Sequence, residues 1–184
     1  MNSLVILGIV IAVIALGLIF IFNGLIRARN HVRESWSDID VQLKRRYDLI
    51  PNLVETVKGY AKHESSVFTQ VTEARSKAMQ SHGTAEQAQF EKQLSASIMQ
   101  LMAVAENYPE LKASNNFQGL QAELSDTENK IQAARRFYNS QVLAFNNKLE
   151  VFPTNFIGGA MNFKKEEFFE VADAKERENV SVKF

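Results

Sequence analysis

The sequence contains no cysteine and only three prolines among its 184 residues. The lack of cysteine excludes thiol catalysis, disulfide bonds and metal sites built from thiolates. The scarcity of proline favours long helices over a fold rich in loops. Basic residues are not in excess either, because 21 Lys and Arg balance 21 Asp and Glu. A nucleic-acid-binding domain usually carries a basic excess, so we expect no nucleic-acid partner.

A long apolar segment without any charge opens at Leu4 and closes at Phe22. As a helix it spans about 28 Å, close to the hydrocarbon core of a bilayer. No Lys or Arg precedes it, and no small residues follow it at cleavage spacing, so we expect a retained single-pass anchor over residues 1–26 rather than a signal peptide. Small residues three or four apart, Gly8, Ala12 and Ala15, allow close approach of two such helices.

The charges that flank the apolar segment predict its orientation. Arg27, Arg29 and Arg33 follow the segment, whereas only the α-amino group precedes it. The positive-inside rule then places the rest of the chain on the cytoplasmic side. Glu34 offsets part of this bias, which leaves a periplasmic or external domain as the alternative.

The remainder of the chain has helical periodicity. From Val32 to Ala78, apolar or aromatic residues recur in alternating steps of four and three, interrupted at Arg46 and Glu64. Turn-forming residues around Gly83 and Pro109 separate further apolar seams. We therefore predict an all-α fold, in which the anchor is followed by a long-helix antiparallel bundle over residues 27–150. Its helices are expected at 27–80, 84–107 and 114–150.

Two features modify this simple bundle. Pro51 removes a backbone hydrogen bond inside the first helix, so we expect a kink near residues 47–50, with Asn52 bonding the freed carbonyl groups. Residues 151–184 form a phenylalanine-rich tail, which is expected either to pack on the bundle or to contact a partner or membrane headgroups. A short helix is possible for residues 164–171.

The densest motif is KRRYDLIPNLV at residues 44–54, which continues through VKGYA at 57–61 to His63 and Glu64. Together with the apolar N-terminus, NHVRESWSDIDVQL at 30–43 and the FPxNxI pattern at 152–157, it closely resembles the LemA family. The resemblance covers essentially the whole chain. It implies a bacterial single-pass membrane protein with a helical bundle, and it implies no reaction.

The motif residues are expected to serve structure or interaction, and they are Arg45, Arg46, Asp48, Pro51, Asn52, His63 and Glu64. Arg46 lies on the buried seam, so it needs a carboxylate partner, for which Glu123 and Glu128 are the candidates. The alternative is an anion or lipid-headgroup site built from Arg45, Arg46 and Asp48. Trp36 is expected to pack in the seam, with an interfacial role as the alternative.

Catalytic patterns are missing from the sequence. His63-Glu64 begins like a zinc-protease motif, but Val67 replaces its second histidine. No Glu-x-x-His pair, phosphate-binding loop or nucleophile elbow occurs. We therefore expect no catalytic residue, no metal and no cofactor.

The function predicted from these features is a non-enzymatic scaffold or adaptor in the bacterial inner membrane. Its expected partners are the lipid bilayer, further copies of itself and another membrane protein. Self-association is expected through the anchor and through a stripe of the first helix that shorter helices leave uncovered. The alternatives are a membrane-remodelling or lipid-organising protein, and an accessory subunit of a membrane protease or transporter.

Overall fold

The computed structural model describes residues 3–170, and in this part of the chain it consists of helices and irregular segments without any strand. This confirms the all-α prediction. The helices are α1 (Ser3–Lys58), α2 (Ser65–Gln80), α3 (Thr84–Glu106), α4 (Pro109–Lys112), α5 (Asn115–Glu150) and α6 (Thr154–Ala160).

The described residues form two compact units. The anchor unit contains residues 3–41 and 131–168, whereas the motif unit contains residues 42–130 and 169–170. Two long helices, α1 and α5, contribute residues to both units. Each unit is therefore described by itself below.

The single helix expected over residues 27–80 is replaced by two helices. α1 begins in the apolar segment and ends at Lys58, and α2 starts only at Ser65. The Val57 carbonyl accepts hydrogen bonds from the backbone N–H groups of both Tyr60 and Ala61, at 3.0 and 2.9 Å. This tightened last turn coincides with Gly59, whose low helix propensity favours an end there. Pro51 lies inside α1, so the helix continues past the proline, and the kink expected near residues 47–50 stays a prediction.

The N-terminal part of α1 carries the candidate membrane anchor. Every side chain from Ser3 to Phe20 is exposed, and α1 is the one described helix that is long and apolar enough to cross a membrane. Burial begins abruptly after this stretch, since Phe20 is 72% exposed and Leu25 is 0% exposed. The helix thus changes its surroundings within five residues.

The core of the anchor unit is apolar and aromatic. The indole ring of Trp36 meets the ring of Tyr138 edge-on, with centroids 5.2 Å apart. This contact agrees with a packing role for Trp36. The other buried apolar residues of this unit are Leu25, Val32 and Ile39 of α1, Ile131, Val142 and Phe145 of α5, and Ile157 of α6.

The segment after α6 is irregular over residues 163–170, in contrast to the short helix considered for residues 164–171, of which residue 171 lies outside the described part. Asn146 fixes it by donating from Nδ2 to the Glu166 carbonyl and accepting the Glu166 N–H at Oδ1, both at 2.9 Å. The Tyr138 hydroxyl donates to the Glu167 carbonyl at 2.9 Å. Side chains of α5 therefore bond backbone groups that a helix would have paired internally.

The phenylalanines of the C-terminal segment divide into two groups. Phe163 packs against Phe22 and Phe145, and Phe169 is 1% exposed. Phe152 and Phe156 are instead 85% and 78% exposed. Phe184 lies outside the described residues.

The motif unit is built around the second half of α1. Its buried apolar residues include Leu43, Ile50, Leu53, Val54 and Val57 of α1, Phe68, Val71 and Ala78 of α2, Ala88, Leu94, Ile98, Leu101 and Ala105 of α3, Leu111 of α4, and Phe117 and Leu124 of α5. The apolar seam of α1 beyond the anchor is therefore covered within the chain. An uncovered stripe of this helix does not remain for self-association, because α2 to α5 supply enough apolar surface to bury it.

Candidate functional site

Arg46 is the centre of a buried polar cluster in the motif unit. It projects from the core-facing side of α1, one turn before Ile50, and is 1% exposed. Its guanidinium forms an ion pair with Glu91 of α3 and a second one with Glu128 of α5, where Nη1 lies 2.6 Å from Oε2. It also donates to the Ser95 hydroxyl at 3.2 Å. The structure thus selects Glu128 from the two carboxylates considered for this arginine.

The next residue of the motif, Tyr47, extends the cluster toward α2. Its hydroxyl donates to Glu91 and accepts a hydrogen bond from Gln87 Nε2 at 2.9 Å. Gln87 Nε2 also lies 3.2 Å from the Ala78 carbonyl at the end of α2. The Ser81 hydroxyl donates to Gln87 Oε1 at 2.6 Å. One connected set of hydrogen bonds therefore joins α1, α2, α3 and α5.

The charges of the cluster match its burial. An unpaired guanidinium at this depth would be very unfavourable, whereas pairing with carboxylates offsets the loss of hydration. Glu91 is 6% exposed, while the Glu128 side chain retains 38% exposure at the rim. Removing one member would leave a buried charge without its partner. The arrangement is suited to specifying how the helices pack. The buried carboxylate of Glu91 is bonded to Arg46 and Tyr47 rather than open to a substrate.

Pro51 creates a second interhelical contact. Because proline lacks an N–H, the Tyr47 carbonyl four residues earlier loses its helical donor. Arg75 of α2 replaces that donor, with Nε 2.7 Å from the Tyr47 oxygen. Arg75, and not Asn52 as expected, therefore donates the hydrogen bond to the carbonyl that Pro51 leaves free. Asn52 is exposed, since it faces away from the core, and its own carbonyl accepts from the Thr56 hydroxyl.

Arg45 faces the surface rather than the cluster. It pairs with Glu123 at 3.0 Å and with Asp126 at 3.5 Å, and all three side chains are 40–49% exposed. A hydrogen bond from Lys130, reinforced by the charges of Lys130 and Arg45, lowers the pKa of Asp126. Neighbouring residues of a helix point in different directions, so Arg45 and Arg46 do not converge on one anion site.

The other motif residues lie apart from the cluster. Asp48 is exposed on α1, and His63 is exposed in the connection between α1 and α2. Glu64 is half-buried immediately before α2, where its side chain forms no capping hydrogen bond. Within residues 3–170, no group of three or more His, Asp or Glu side chains is placed to hold a metal ion. The expectation of a chain without catalytic residue or cofactor stays a prediction.

Sequence reasoning did not identify Glu91, Gln87 or Arg75. The first two carry a usable signal, because steps of three and four residues backwards from Leu94 reach Glu91 and Gln87. Both are therefore polar residues within the apolar seam of α3, like Arg46 in the seam of α1. Arg75 has no comparable signal, since its acceptor is a backbone carbonyl of another helix.

A smaller polar contact lies in the anchor unit. The pKa of the Asp40 carboxyl is raised by partial burial, and a hydrogen bond from the Trp36 side chain opposes this effect. Trp36 therefore packs on Tyr138 and also bonds a carboxylate one turn along its own helix.

Comparison with known proteins agrees with this architecture. Residues 35–184 match the LemA family. The chain is 28% identical over 161 residues to a protein named LemA from Metamycoplasma hominis, covering 87% of this chain and 72% of that protein. It is 23% identical to magnetosome protein MamQ 2 of Paramagnetospirillum magneticum and 21% identical to MamQ of Magnetospirillum gryphiswaldense. These alignments cover 81% and 80% of this chain, and they span only 64% of each MamQ relative.

The match to the family includes the motif around Arg46, the part of α1 from residue 35 onward, α5 and the FPxNxI pattern, and a candidate membrane anchor precedes them. The protein is therefore a LemA-type membrane-associated protein, and the chain belongs to the LemA family.

Proposed function

We propose that the protein is a non-enzymatic scaffold or adaptor that is held in the bacterial inner membrane by residues 4–22 and assembles with copies of itself. The observation that carries this proposal is that the buried polar side chains of the motif bond other helices of the same chain and leave no reactive group free for a substrate. Arg46 and Tyr47 are bonded to side chains of the protein's own helices. The motif thus acts as a packing device rather than as a reactive constellation.

The proposed assembly depends on the anchor. Outside it, the seam of α1 is buried within the chain, whereas all of Ser3–Phe20 is exposed. Gly8, Ala12 and Ala15 supply small side chains at the spacing that allows two membrane helices to approach closely. Confinement to two dimensions raises the effective concentration of the copies. We further propose that the part of the chain after the anchor lies on the cytoplasmic side, because Arg27, Arg29 and Arg33 follow the apolar segment.

Cross-linking of the full-length protein in native membranes, followed by mass measurement in mild detergent, tests self-assembly. We expect a species larger than the monomer, which the substitutions Gly8→Leu and Ala12→Leu weaken. The matched control is Ile9→Leu with Val13→Leu, because both residues lie in the same exposed segment and stay apolar. A strictly monomeric wild type, recovered with one other membrane protein, would replace self-assembly by a one-to-one adaptor or accessory subunit.

A lipid-organising role is the second candidate, and the exposure of Phe152 and Phe156 favours it. The names of the MamQ relatives assign those proteins to magnetosomes. For this chain, we propose a membrane-organising role only as the second candidate. Vesicle shape in the presence of the reconstituted full-length protein separates the two roles. A scaffold leaves vesicle size unchanged, whereas a lipid-organising protein changes it.

A further inference from the structure

The second exposed apolar surface of the anchor unit lies at α6 and the turn before it. Phe152 and Phe156 are among the most exposed large apolar side chains of the described residues, and Val151 and Met161 are each 55% exposed. Ile157 in the same short helix is buried. One side of α6 therefore packs on the protein, while its phenylalanine points outward. A cluster of exposed apolar side chains marks a binding surface.

Contacts within the anchor unit locate this surface along α1. A Cβ atom on Gly158 would lie 2.8 Å from Leu149 Cδ2 and 4.0 Å from Leu25 Cδ1. The ring of Phe163, just after α6, has its centroid 6.2 Å from that of Phe22. The segment from 151 to 163 therefore lies against α1 where the apolar run ends and the covered part of the helix begins.

The distances match the dimensions of a bilayer interface. Leu25 follows Phe22 by three residues, which corresponds to about 4.5 Å along the helix. The headgroup layer on each side of the hydrocarbon core is about 5–8 Å thick. If residues 4–22 span the core, α6 lies at the depth of the headgroups. Aromatic side chains favour this depth, where they contact the acyl boundary.

Basic groups accompany the exposed phenylalanines. The Arg29 guanidinium carbon lies 5.1 Å from the centroid of the Phe163 ring. Arg27 and Lys164 are exposed, and Lys165 is paired with Glu150 at 2.6 Å. Long basic side chains can bury their stems in the interface and keep their charges among anionic headgroups. The combination of apolar tips and basic flanks fits a lipid surface better than an apolar protein groove.

We propose that residues 151–161 form an interfacial segment, in which Phe152 and Phe156 insert into the headgroup and acyl boundary of the leaflet next to Phe22. The protein then contacts the bilayer at two places, the spanning helix and this segment. The proposal rests on the membrane anchor of the proposed function, so its test must report on each contact separately.

The absence of cysteine allows a direct test by site-directed spin labelling of the full chain. Single variants Phe156→Cys, Ile14→Cys and Phe137→Cys are labelled and reconstituted in vesicles of phosphatidylcholine and phosphatidylglycerol. Accessibility to oxygen, which partitions into lipid, is compared with accessibility to a water-soluble nickel chelate. Phe137 is the matched control, because it is an exposed phenylalanine of the same unit. Its neighbour Tyr138 packs at Trp36, about 21 Å along α1 from Phe22.

We expect the ratio of oxygen accessibility to nickel accessibility at the 156 label to lie between the ratios at 14 and at 137. It should be severalfold higher than the ratio at 137. A label at 156 that is as accessible to nickel as that at 137, while the label at 14 is in lipid, overturns the interfacial segment and leaves the anchor intact. An immobile label at 156 shielded from both reagents also overturns it, in favour of a protein contact. Access of nickel to the label at 14 removes the anchor itself, and with it both proposals.

Discussion

The two ends of α1 place the same kind of secondary structure in opposite surroundings. From Ser3 to Phe20, every side chain is exposed and none is charged. From residue 42 to Lys58, most of the apolar residues are buried, and the helix carries a charged residue, Arg46, into the core of the motif unit. In the first part all apolar groups face outward, whereas in the second even a guanidinium faces inward.

The difference shows that the polarity of a side chain does not by itself decide whether the side chain is buried. A membrane helix can leave its apolar side chains uncovered because lipid replaces the protein core around them. A core can accept Arg46 because Glu91 and Glu128 compensate its charge. Hydropathy alone predicts the surroundings of residues 3–20, but it does not predict that Arg46 is buried in the second part of the helix.

The largest effect is expected from charges placed in the exposed apolar part. Ile11→Asp combined with Ile14→Asp should release the protein from membranes, because each acidic residue near the centre of a spanning helix costs roughly 3 kcal/mol. Extraction of membranes with alkaline carbonate measures the loss. Met79→Asp with Met99→Asp is the control, since both methionines are exposed on helices of the motif unit. Retention of the Ile11 and Ile14 variant would contradict a spanning helix.

Removal of the buried guanidinium should have the next largest effect. Arg46→Leu leaves Glu91 unpaired, and we expect the free energy of unfolding to fall by about 3–5 kcal/mol. Arg45→Leu is the matched control, because its exposed ion pairs should contribute no more than about 1 kcal/mol. Thermal unfolding in detergent, followed by circular dichroism, compares the two. Equal changes in both variants would place Arg46 outside the cluster.

A smaller effect is expected at the carbonyl released by Pro51. Arg75→Leu removes the donor to the Tyr47 oxygen, at a cost of about 1–3 kcal/mol. Pro51→Ala restores a backbone N–H at residue 51, so Arg75→Leu should cost less in that background. A double-mutant cycle of thermal unfolding measures this coupling. If Arg75→Leu is equally destabilising in both backgrounds, the arginine does not compensate for the proline.

The smallest effects concern two carboxyls whose pKa values shift in opposite directions. The pKa of Asp40 is raised in the folded protein, so its contribution to stability is full below the ordinary pKa of 3.8 and is lost as pH rises through the folded value. At neutral pH, Asp40→Asn should therefore raise the unfolding temperature slightly. The pKa of Asp126 is lowered, so its contribution exists above 3.8 and is lost as pH falls through the folded value.

Asp126→Asn should accordingly lower the unfolding temperature slightly at neutral pH. Melting curves of both variants from acidic to neutral pH test the two signs together. The difference from the wild type should shrink for both variants as the pH falls below the folded pKa of each carboxyl. Shifts of the same sign at neutral pH would show that at least one of the two carboxyls is not governed by the neighbours named here.

Much of the fold could be predicted from local patterns. The periodic seam predicted the helices, and α3 and α5 begin and end within about a residue of their expected bounds. The seam could not locate the break after Lys58, because Val57, Ala61, Phe68 and Val71 keep the period across it. The break depends on Gly59 and on a tightened backbone turn. The irregular segment after α6 was also not predicted, because it is held by Asn146 and Tyr138 of another helix.

Local sequence patterns suffice to predict the features that depend on composition and short-range order, namely an uncharged run of membrane length, helices with apolar seams and a buried position for Arg46. Those features follow from hydrophobic burial and from the helical repeat, which act on neighbouring residues. Three pairings depend instead on the packing of the helices: Glu91 and Glu128 share the guanidinium, Arg75 donates to the carbonyl freed by Pro51, and α6 lies at Leu25. These pairings join residues far apart in the chain, and their energies depend on distances and burial that only the folded packing of the helices sets.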